Sequence, residues 1–526
     1  MIEHIFRSDL QLFRQIVKAG LQLVFYPGAV GRVCDDHFPC RNKCSFFVKL
    51  EGNCFSCQQS LAGLNEMLNE DVEMGDLAAH KIADWAWNVM NSALPAQVAH
   101  QARRCIIDVT GCAAAGKGAS AVGAVAASAP VLFGAGDCTV WYSDMTLSPV
   151  GAGMVNATAA MILDIDDGSR QASGHAGAGV VPAVLALGEF LKSDRDAILK
   201  AVTIGYEVAV RVGRAEKRRS YHSANYTAFG VTAAAAALKG LDAGQIAHAL
   251  GICAYYGPRV SDLTLSQEMG SDVKESLPWA VVVGMSCAEL AGNGFLGNRD
   301  ALNIEERFDS EWMLDGLGSE FLILSTYFKR YSCCRWTHTA VEALLTVMQE
   351  HDLKPEEVEA VDVQTFNQAA WLNNRYEPQT LIDAQFSVPY VMAIAAIKGE
   401  QSLMPMTSDV LDQPVIEAFA RKIKLHISEE MNAQYPARVP CHVVVHSRRG
   451  EFEAEVNAPW GEPYNKPSDA ELIEKFVLIA RARLEREKVM AIADAILADE
   501  AGFDSLYAAL AGADEGVLEF PRQVTG

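Results

Sequence analysis

The arrangement of apolar and polar positions gives the chain distinct textures along its length. From about residue 76, apolar residues recur at i, i+3, i+4 and i+7, as in DLAAHKIADWAWNVM (76–90) and PAQVAHQARRCIIDVTGCAAAG (95–116). That is the period of a helix with one buried face, and Pro95 stands where a first helical turn tolerates proline. AFGVTAAAAALKGLDAGQIAHALGICA (228–254) predicts two closely packed helices broken at Gly240-Leu241-Asp242, and LPWAVVVGMSCAELAGNGF (277–295) predicts a buried helix ended by Gly292-Asn293-Gly294. The longest uncharged run, ASAVGAVAASAPVLFGAG (119–136), predicts buried helices and a turn, being too rich in small residues for a membrane span.

After about 340 the period changes to two. VEAVDVQTF (358–366), RKIKLHIS (421–428), ARVPCHVVVHSRRG (437–450) and EFEAEVNAP (451–459) predict strands, with a hairpin around Arg448-Arg449-Gly450. From 467 to about 500 the helical period returns, with Ser468 or Asp469 as N-cap and Glu471 in the first turn. The prediction is a mostly α fold: a large helical domain (76–338) interrupted by a smaller α+β insert (339–466), with C-terminal helices (467–526) returning to the helical body. A cleft between the two parts is the natural ligand site.

A length of 526 residues supports two domains rather than one core. The net charge of −22 argues against a nucleic-acid or anionic-membrane surface, which needs basic patches. It does not exclude a small anionic ligand, which needs only a few local cations. Residues 1–75 stand apart, with Cys34, Cys40, Cys44, Cys54, Cys57 and His37. They read either as an appended or mis-started segment, with Met67 or Met74 as later starts, or as a small metal module built on Cys54-x-x-Cys57. No signal-peptide pattern opens the chain, so a cytoplasmic location is expected.

Several stretches carry candidate chemistry. In MILDIDDGSRQASGHAGAGVVPA (161–183), Asp164, Asp166 and Asp167 follow an apolar run and lead into a loop of small residues with Arg170 and His175. The acids read either as caps of a helix-to-loop junction or as carboxylates entering protein, where each needs a partner or a role. EKRRSYHSANYTAFG (216–230) brings Lys217, Arg218 and Arg219 to Tyr221-His222 at a helix start, where anions bind. SQEMGSDVKESLPW (266–279) places Lys274 before a buried helix. YFKRYSCCRWTHTAVEALL (327–345) holds Lys329, Arg330, Cys333, Cys334, Arg335 and His338; adjacent cysteines make a poor chelate and read as small hydrophobes. No Walker loop, GxGxxG, GxSxG or HExxH is present.

LDIDDGSRQASGHAGAGVVPAVLALGE, GYEVAVRVGRA, SYHSANYTAFGVTAAAAALKGLD, GFLG, FKRYSCCRWTH and DAQFSVPYVMAIAAIKGE, in this order, resemble the MmgE/PrpD family across about 76–505. That family includes 2-methylcitrate dehydratase, cis-aconitate decarboxylase and iminodisuccinate epimerase. The resemblance implies a helical domain with a smaller α/β lid domain, a homodimer, and chemistry on di- or tricarboxylates without a metal or organic cofactor. It carries active-site roles to Asp164, His175, His222, Lys274, Lys329 and Tyr390. Three departures imply a reshaped pocket: Gly168 where relatives have Thr, Ala176-Gly177 after the histidine where they have Pro-Gly or Pro-Ser, and Ser223-Ala224-Asn225 where they have Pro-Thr.

The activities of the family share the forming or quenching of a carbanion beside a carboxylate, which needs a base and cations. The expected roles are His222 and Asp164 as the acid/base pair, and His175 positioning substrate or donating a proton. Lys274 and Lys329 clamp carboxylates, assisted by Arg170 or Arg335, with Tyr390 also contacting substrate. Alternatively either lysine, its pKa lowered by burial, is the proton donor. A lyase, dehydratase or decarboxylase, is the leading expectation. An epimerase or isomerase comes next, and a non-catalytic carboxylate-binding or metal-regulated protein is the rival from another class.

Overall fold

The computed structural model describes residues 48–50, 53–55, 77–217, 222–258, 271–499 and 502–512. The chain forms two compact units, Met1–Asp76 and Leu77–Gly526. In the first, strands Val48–Leu50 and Asn53–Phe55 pair antiparallel, with Lys49 opposite Cys54. Of the metal-module residues, Cys54 stands on the second of these strands, whereas Cys57, Cys40 and Cys44 lie outside the described residues, as do Cys34, His37 and the alternative starts Met67 and Met74.

The second unit begins with a succession of helices: α1 (Ala78–Met90), α2 (Ala96–Gly116), α3 (Ser120–Phe133), α4 (Pro149–Met161), α5 (Gly177–Leu191), α6 (Arg195–Ala215), α7 (Ala224–Leu238), α8 (Ala243–Tyr256) and α9 (Leu277–Gly292). The break at Gly240-Leu241-Asp242 is made by a capping box in which Asp242 and Gln245 each bond the other's backbone N–H, starting α8 afresh. Alanine dominates α7, and every one of its residues is buried between α6 and α9. Small side chains allow such a helix to be surrounded. The uncharged run 119–136 departs from its expected burial. It forms α3, whose last turn leaves Val131 and Leu132 in solvent, because only one face, at Ala121, Val122 and Ala129, meets the core.

Beyond α10 (His338–Glu350) comes a four-stranded sheet in the order β2-β1-β3-β4, from β1 (Val358–Thr365), β2 (Ile423–Ile427), β3 (Cys441–Ser447) and β4 (Gly450–Val456). β1 and β2 are parallel and the other pairs antiparallel, the hairpin closing with Ser447 opposite Gly450. On β3 the period-two pattern buries Cys441, Val443 and Val445 in the direction of α10. β4 is the edge strand and carries Glu451, Glu453 and Glu455, charges that discourage further pairing. α11 (Val388–Lys398), between β1 and β2 in sequence, packs on α10.

The chain then returns through α12 (Asp469–Ala480), α13 (Arg486–Leu497) and α14 (Asp504–Leu510). Ser468 caps α12 in a capping box with Glu471. Lys475 of α12 donates to Asp108 Oδ1 of α2 at 2.6 Å and to the Ile165 carbonyl at 2.9 Å, so the last helices brace the loop after α4. Among the described residues no single helix is long and apolar enough to cross a membrane.

Replacing Lys475 with Met leaves the buried Asp108 charge uncompensated, and removing one partner of such a pair costs about 3–5 kcal/mol. Chemical denaturation should show that loss, and the double variant Asp108→Leu/Lys475→Met should recover much of it. Equal losses in the single and double variants would remove the ion pair from this role.

Candidate active site

The site starts where α4 ends. Asp164 adopts a left-handed backbone, φ 53°, with its N–H bonded to Met161 O at 3.0 Å. Aspartate enters that region at low cost, and the turn sends its carboxylate inward. Lys274 (φ 46°) and Ser276 (φ 58°) hold the same unusual conformation just before α9. Non-glycine residues in this region cluster where the surroundings over-determine them, often at functional sites.

Lys329 arrives on a segment laced to the same loop. Gly168 and Tyr327 exchange backbone hydrogen bonds at 3.0 and 2.9 Å, and Phe328 N–H donates to Gly461 O at 2.9 Å. Both glycines are required by close approach. A Cβ at 168 would stand 2.4 Å from the Tyr327 hydroxyl, and one at 461, where φ is 92°, would stand 2.1 Å from Phe328 O.

At the bottom of the site, Lys274 Nζ lies 3.0 Å from Asp164 Oδ1 and Lys329 Nζ 3.1 Å from Oδ2, all three groups buried. Lys274 also donates to Met161 O. Burial pushes the Asp164 carboxyl up, but Lys274, Lys329 and His175 together outweigh it and hold the group well below the ordinary carboxylate range. Burial likewise opposes the Lys329 ammonium, yet Asp164 and Asp166 overcome it and raise Lys329 above its usual value. Neither Asp164 oxygen nor Lys329 Nζ makes a hydrogen bond of good geometry, so the cluster is charge-paired with hydrogen-bonding capacity left over.

Above this layer sits His175. Its Nδ1 lies 2.6 Å from Asp167 O and 3.5 Å from Asp166 Oδ2, and its backbone N–H donates to Ser223 Oγ at 2.9 Å. Nε2 faces Glu275 Oε1 at 3.6 Å and Asp164 Oδ1 at 3.9 Å. Asp167 turns the other way, accepting from Tyr206 OH at 2.6 Å; burial pushes its carboxyl well up, as does the nearby Asp108 charge.

A cleft opens over His175 and Glu275, walled by Arg170, Tyr327, Arg335 and Tyr435. Both guanidinium groups lie over the Tyr327 ring, 5.0 and 4.8 Å from its centroid, and both bind the fully buried Glu462. Burial raises the Glu462 carboxyl but Arg335 and Arg170 outweigh it, leaving it below its ordinary range. Two cations against one anion leave the wall net positive.

Asp164, His175, Lys274 and Lys329 therefore converge, with Arg170 and Arg335 above them. His222 precedes Ser223; burial lowers its pKa, and the opposing charge of Glu275 does not restore it, so it is mainly neutral at neutral pH. Tyr390 is not part of the site. It is buried at the start of α11, and its hydroxyl donates to Val410 O at 2.6 Å. Two expected roles also change. Asp164, held ionised between two ammonium groups, is a poor proton acceptor, and Lys329 is made a weaker acid rather than a readier donor. Arg218, Arg219 and Tyr221 lie outside the described residues. Cys333 accepts from Thr337 Oγ1 at 2.9 Å, and burial pushes its thiol up, so it is no thiolate nucleophile.

Glu275, Glu462 and Tyr327 were not singled out in the sequence. Glu275 adjoins Lys274 in VKES, a signal within reach; Glu462 is distant in sequence from both arginines and offers none. Asp164, His175 and Glu275 bring one potential ligand atom each within 4.8 Å of one another. Of these three, the Asp164 carboxylate is already paired with Lys274 and Lys329.

Asp164→Asn should leave Lys329 buried without the larger of the two carboxylate charges that hold it ionised. Its folded-state pKa then falls below the unfolded value of about 10.4, so the unfolded chain binds more protons and stability rises with pH. In the parent protein Lys329 is raised, and its contribution is complete below the unfolded value and lost only as pH climbs through the folded one. Melting temperatures between about pH 7 and about pH 9 should climb for the variant relative to the parent; parallel curves would contradict the pairing.

The MmgE/PrpD N-terminal domain matches residues 80–317 and the MmgE/PrpD C-terminal domain matches residues 331–499. The chain is also similar to the cis-aconitate decarboxylase-like protein oryM of Aspergillus oryzae, 23% identical over 467 residues, an alignment covering 81% of this chain and 95% of that protein. Together the two domains span most of the second unit, from α1 through the sheet to α13, and the chain belongs to the MmgE/PrpD family, which includes dehydratases and decarboxylases.

Proposed function

We propose that the protein is a cofactor-independent lyase, a dehydratase or decarboxylase, that acts on a small di- or tricarboxylate by proton transfer beside a carboxylate. The observation that carries this reading is the layered charge: a lysine pair on Asp164 below, a histidine between, and an arginine wall at the cleft above. Such a cleft holds a small polyacid by more than one carboxylate, and its buried cations offset charge that develops at the neighbouring carbon. Lys274 and Lys329 do the work a metal would otherwise do. His222, mainly neutral, is the base, and His175 delivers or receives a proton through Nε2. The net charge and the cationic cleft together favour a small-molecule partner over nucleic acid or membrane, and the family favours a cytoplasmic homodimer.

Epimerisation of a related diacid is the second reading. Gly168 provides no hydroxyl where relatives carry one, and the Tyr327 hydroxyl occupies the space a side chain would need. That weakens departure of a leaving group more than it weakens proton exchange.

Proton NMR in D₂O separates the two. Metal-stripped protein with 2-methylcitrate, citrate, cis- and trans-aconitate and substituted succinates should give new vinyl signals or CO₂ with one of them. Deuterium entering one carbon without a new alkene selects the epimerase, and silence that ends only when metal is restored would sink the cofactor-free reading. With the responsive substrate, His222→Ala should lower kcat about 10²–10⁴-fold; a change confined to KM would remove His222 from proton transfer.

A further inference from the structure

Glu275 is buried, faces His175 and has no part in the roles assigned so far. The hydrogen bonds around it fix where its proton-bearing partner lies. Ser223 has one O–H to give. Its oxygen accepts from His175 N–H at 2.9 Å and from Tyr226 O–H at 3.0 Å, so its own hydrogen goes to Glu275 Oε2. Oε2 is thereby an acceptor, and Oε1 is left facing His175 Nε2 at 3.6 Å. On the imidazole the other nitrogen is equally constrained. Nδ1 lies 2.6 Å from the Asp167 carbonyl, which can only accept, so Nδ1 carries a hydrogen. Any proton the ring gains or loses is therefore at Nε2, between Glu275 and Asp164 and directly beneath the cleft.

From this geometry we infer that His175 and Glu275 share one exchangeable proton, that a polycarboxylate entering the cleft draws that proton from solvent, and that Glu275 is thereby a proton-holding partner of His175 in the reaction. The inference rests on the carboxylate reading of the cleft and deepens it. The charges facing the pair favour such coupling. Asp164 and Asp166 approach the ring from the loop after α4, and His222 and Tyr226 feel Glu275 from the start of α7. Lys274 and Lys329 approach from below, and Arg170, Tyr327 and Arg335 share the cleft above. The lysines are already paired to Asp164, so an incoming polyanion sets its charge against Glu275. One H⁺ added to either Nε2 or Oε1, which face one another at 3.6 Å, offsets that repulsion. The step is a proton transfer only. Solvent supplies the proton on binding, the substrate carbon or departing group receives it, and the next binding event draws another.

Titration calorimetry with propane-1,2,3-tricarboxylate, in buffers of different ionisation enthalpy, reads this proton directly. Binding by the parent protein should be accompanied by net proton uptake, approaching about one proton per ligand bound. Glu275→Gln should bind the same triacid with uptake reduced by more than about half. Ser223→Ala, which leaves both members of the pair in place, should bind with uptake retained. Binding by the parent protein without proton uptake overturns the inference and leaves the carboxylate reading standing, and this result needs no variant to fold. Undiminished uptake by Glu275→Gln overturns the role of Glu275. No binding of the triacid or of any acid in the NMR panel overturns the carboxylate reading and this inference with it.

Discussion

The site depends on one carboxylate that ought not to be ionised where it is. Asp164 lies in a dry interior, and an isolated carboxylate there would take up a proton rather than stay charged. A buried lysine alone would similarly lose its proton. Placed 3.0 and 3.1 Å from opposite oxygens of Asp164, Lys274 and Lys329 let the carboxylate stay ionised, while Asp166 and Glu275 face the same cluster across His175. The charges are thus fixed in place before a ligand arrives, at no cost in reorganising the side chains that receive it.

Keeping this cluster together constrains distant parts of the chain. The three charged residues arrive from the end of α4, the approach to α9 and the segment before α10. Each needs a backbone held by something else. Asp164 and Lys274 take left-handed conformations, and Lys329 follows a segment bonded to Gly168 on one side and Gly461 on the other. Lys475 comes from α12 to bind both Asp108 and the Ile165 carbonyl, one residue beyond Asp164. The C-terminal helices thus act on the site through the loop they brace. Glu462, on the turn before α12, binds the two arginines of the cleft wall.

Periodicity exposed most of the elements, because helices and strands are local. The break at Gly240-Leu241-Asp242, the cap at Ser468 and the hairpin at Gly450 all follow from residues within a few positions of one another. The uncharged run of α3 misled, since composition reports that a helix can be buried and not whether another element covers it. The site was legible as a set of residues: Asp164, His175, Lys274, Lys329, Arg170 and Arg335 are all drawn to one place. Their pairings were not legible. Nothing in the sequence says that Asp164 meets two lysines, which turns an expected base into a fixed counter-charge, or that Glu462 meets two arginines. Tyr390 was misplaced for the same reason, its hydroxyl being taken by Val410 O.

The departure at residue 168 is best understood with the cleft wall rather than with the loop alone. A side chain there would collide with the Tyr327 hydroxyl, so a threonine at 168 and the present position of Tyr327 exclude one another. Tyr327 is held by backbone pairing with Gly168 and by two guanidinium groups over its ring, which makes it the more constrained partner. Burial pushes its phenol above the ordinary range despite Arg170, Lys329 and Arg335, so it stays protonated at neutral pH. The Tyr327 O–H therefore stands in the space that a side chain at 168 would need, and it keeps the cleft wall polar at this point.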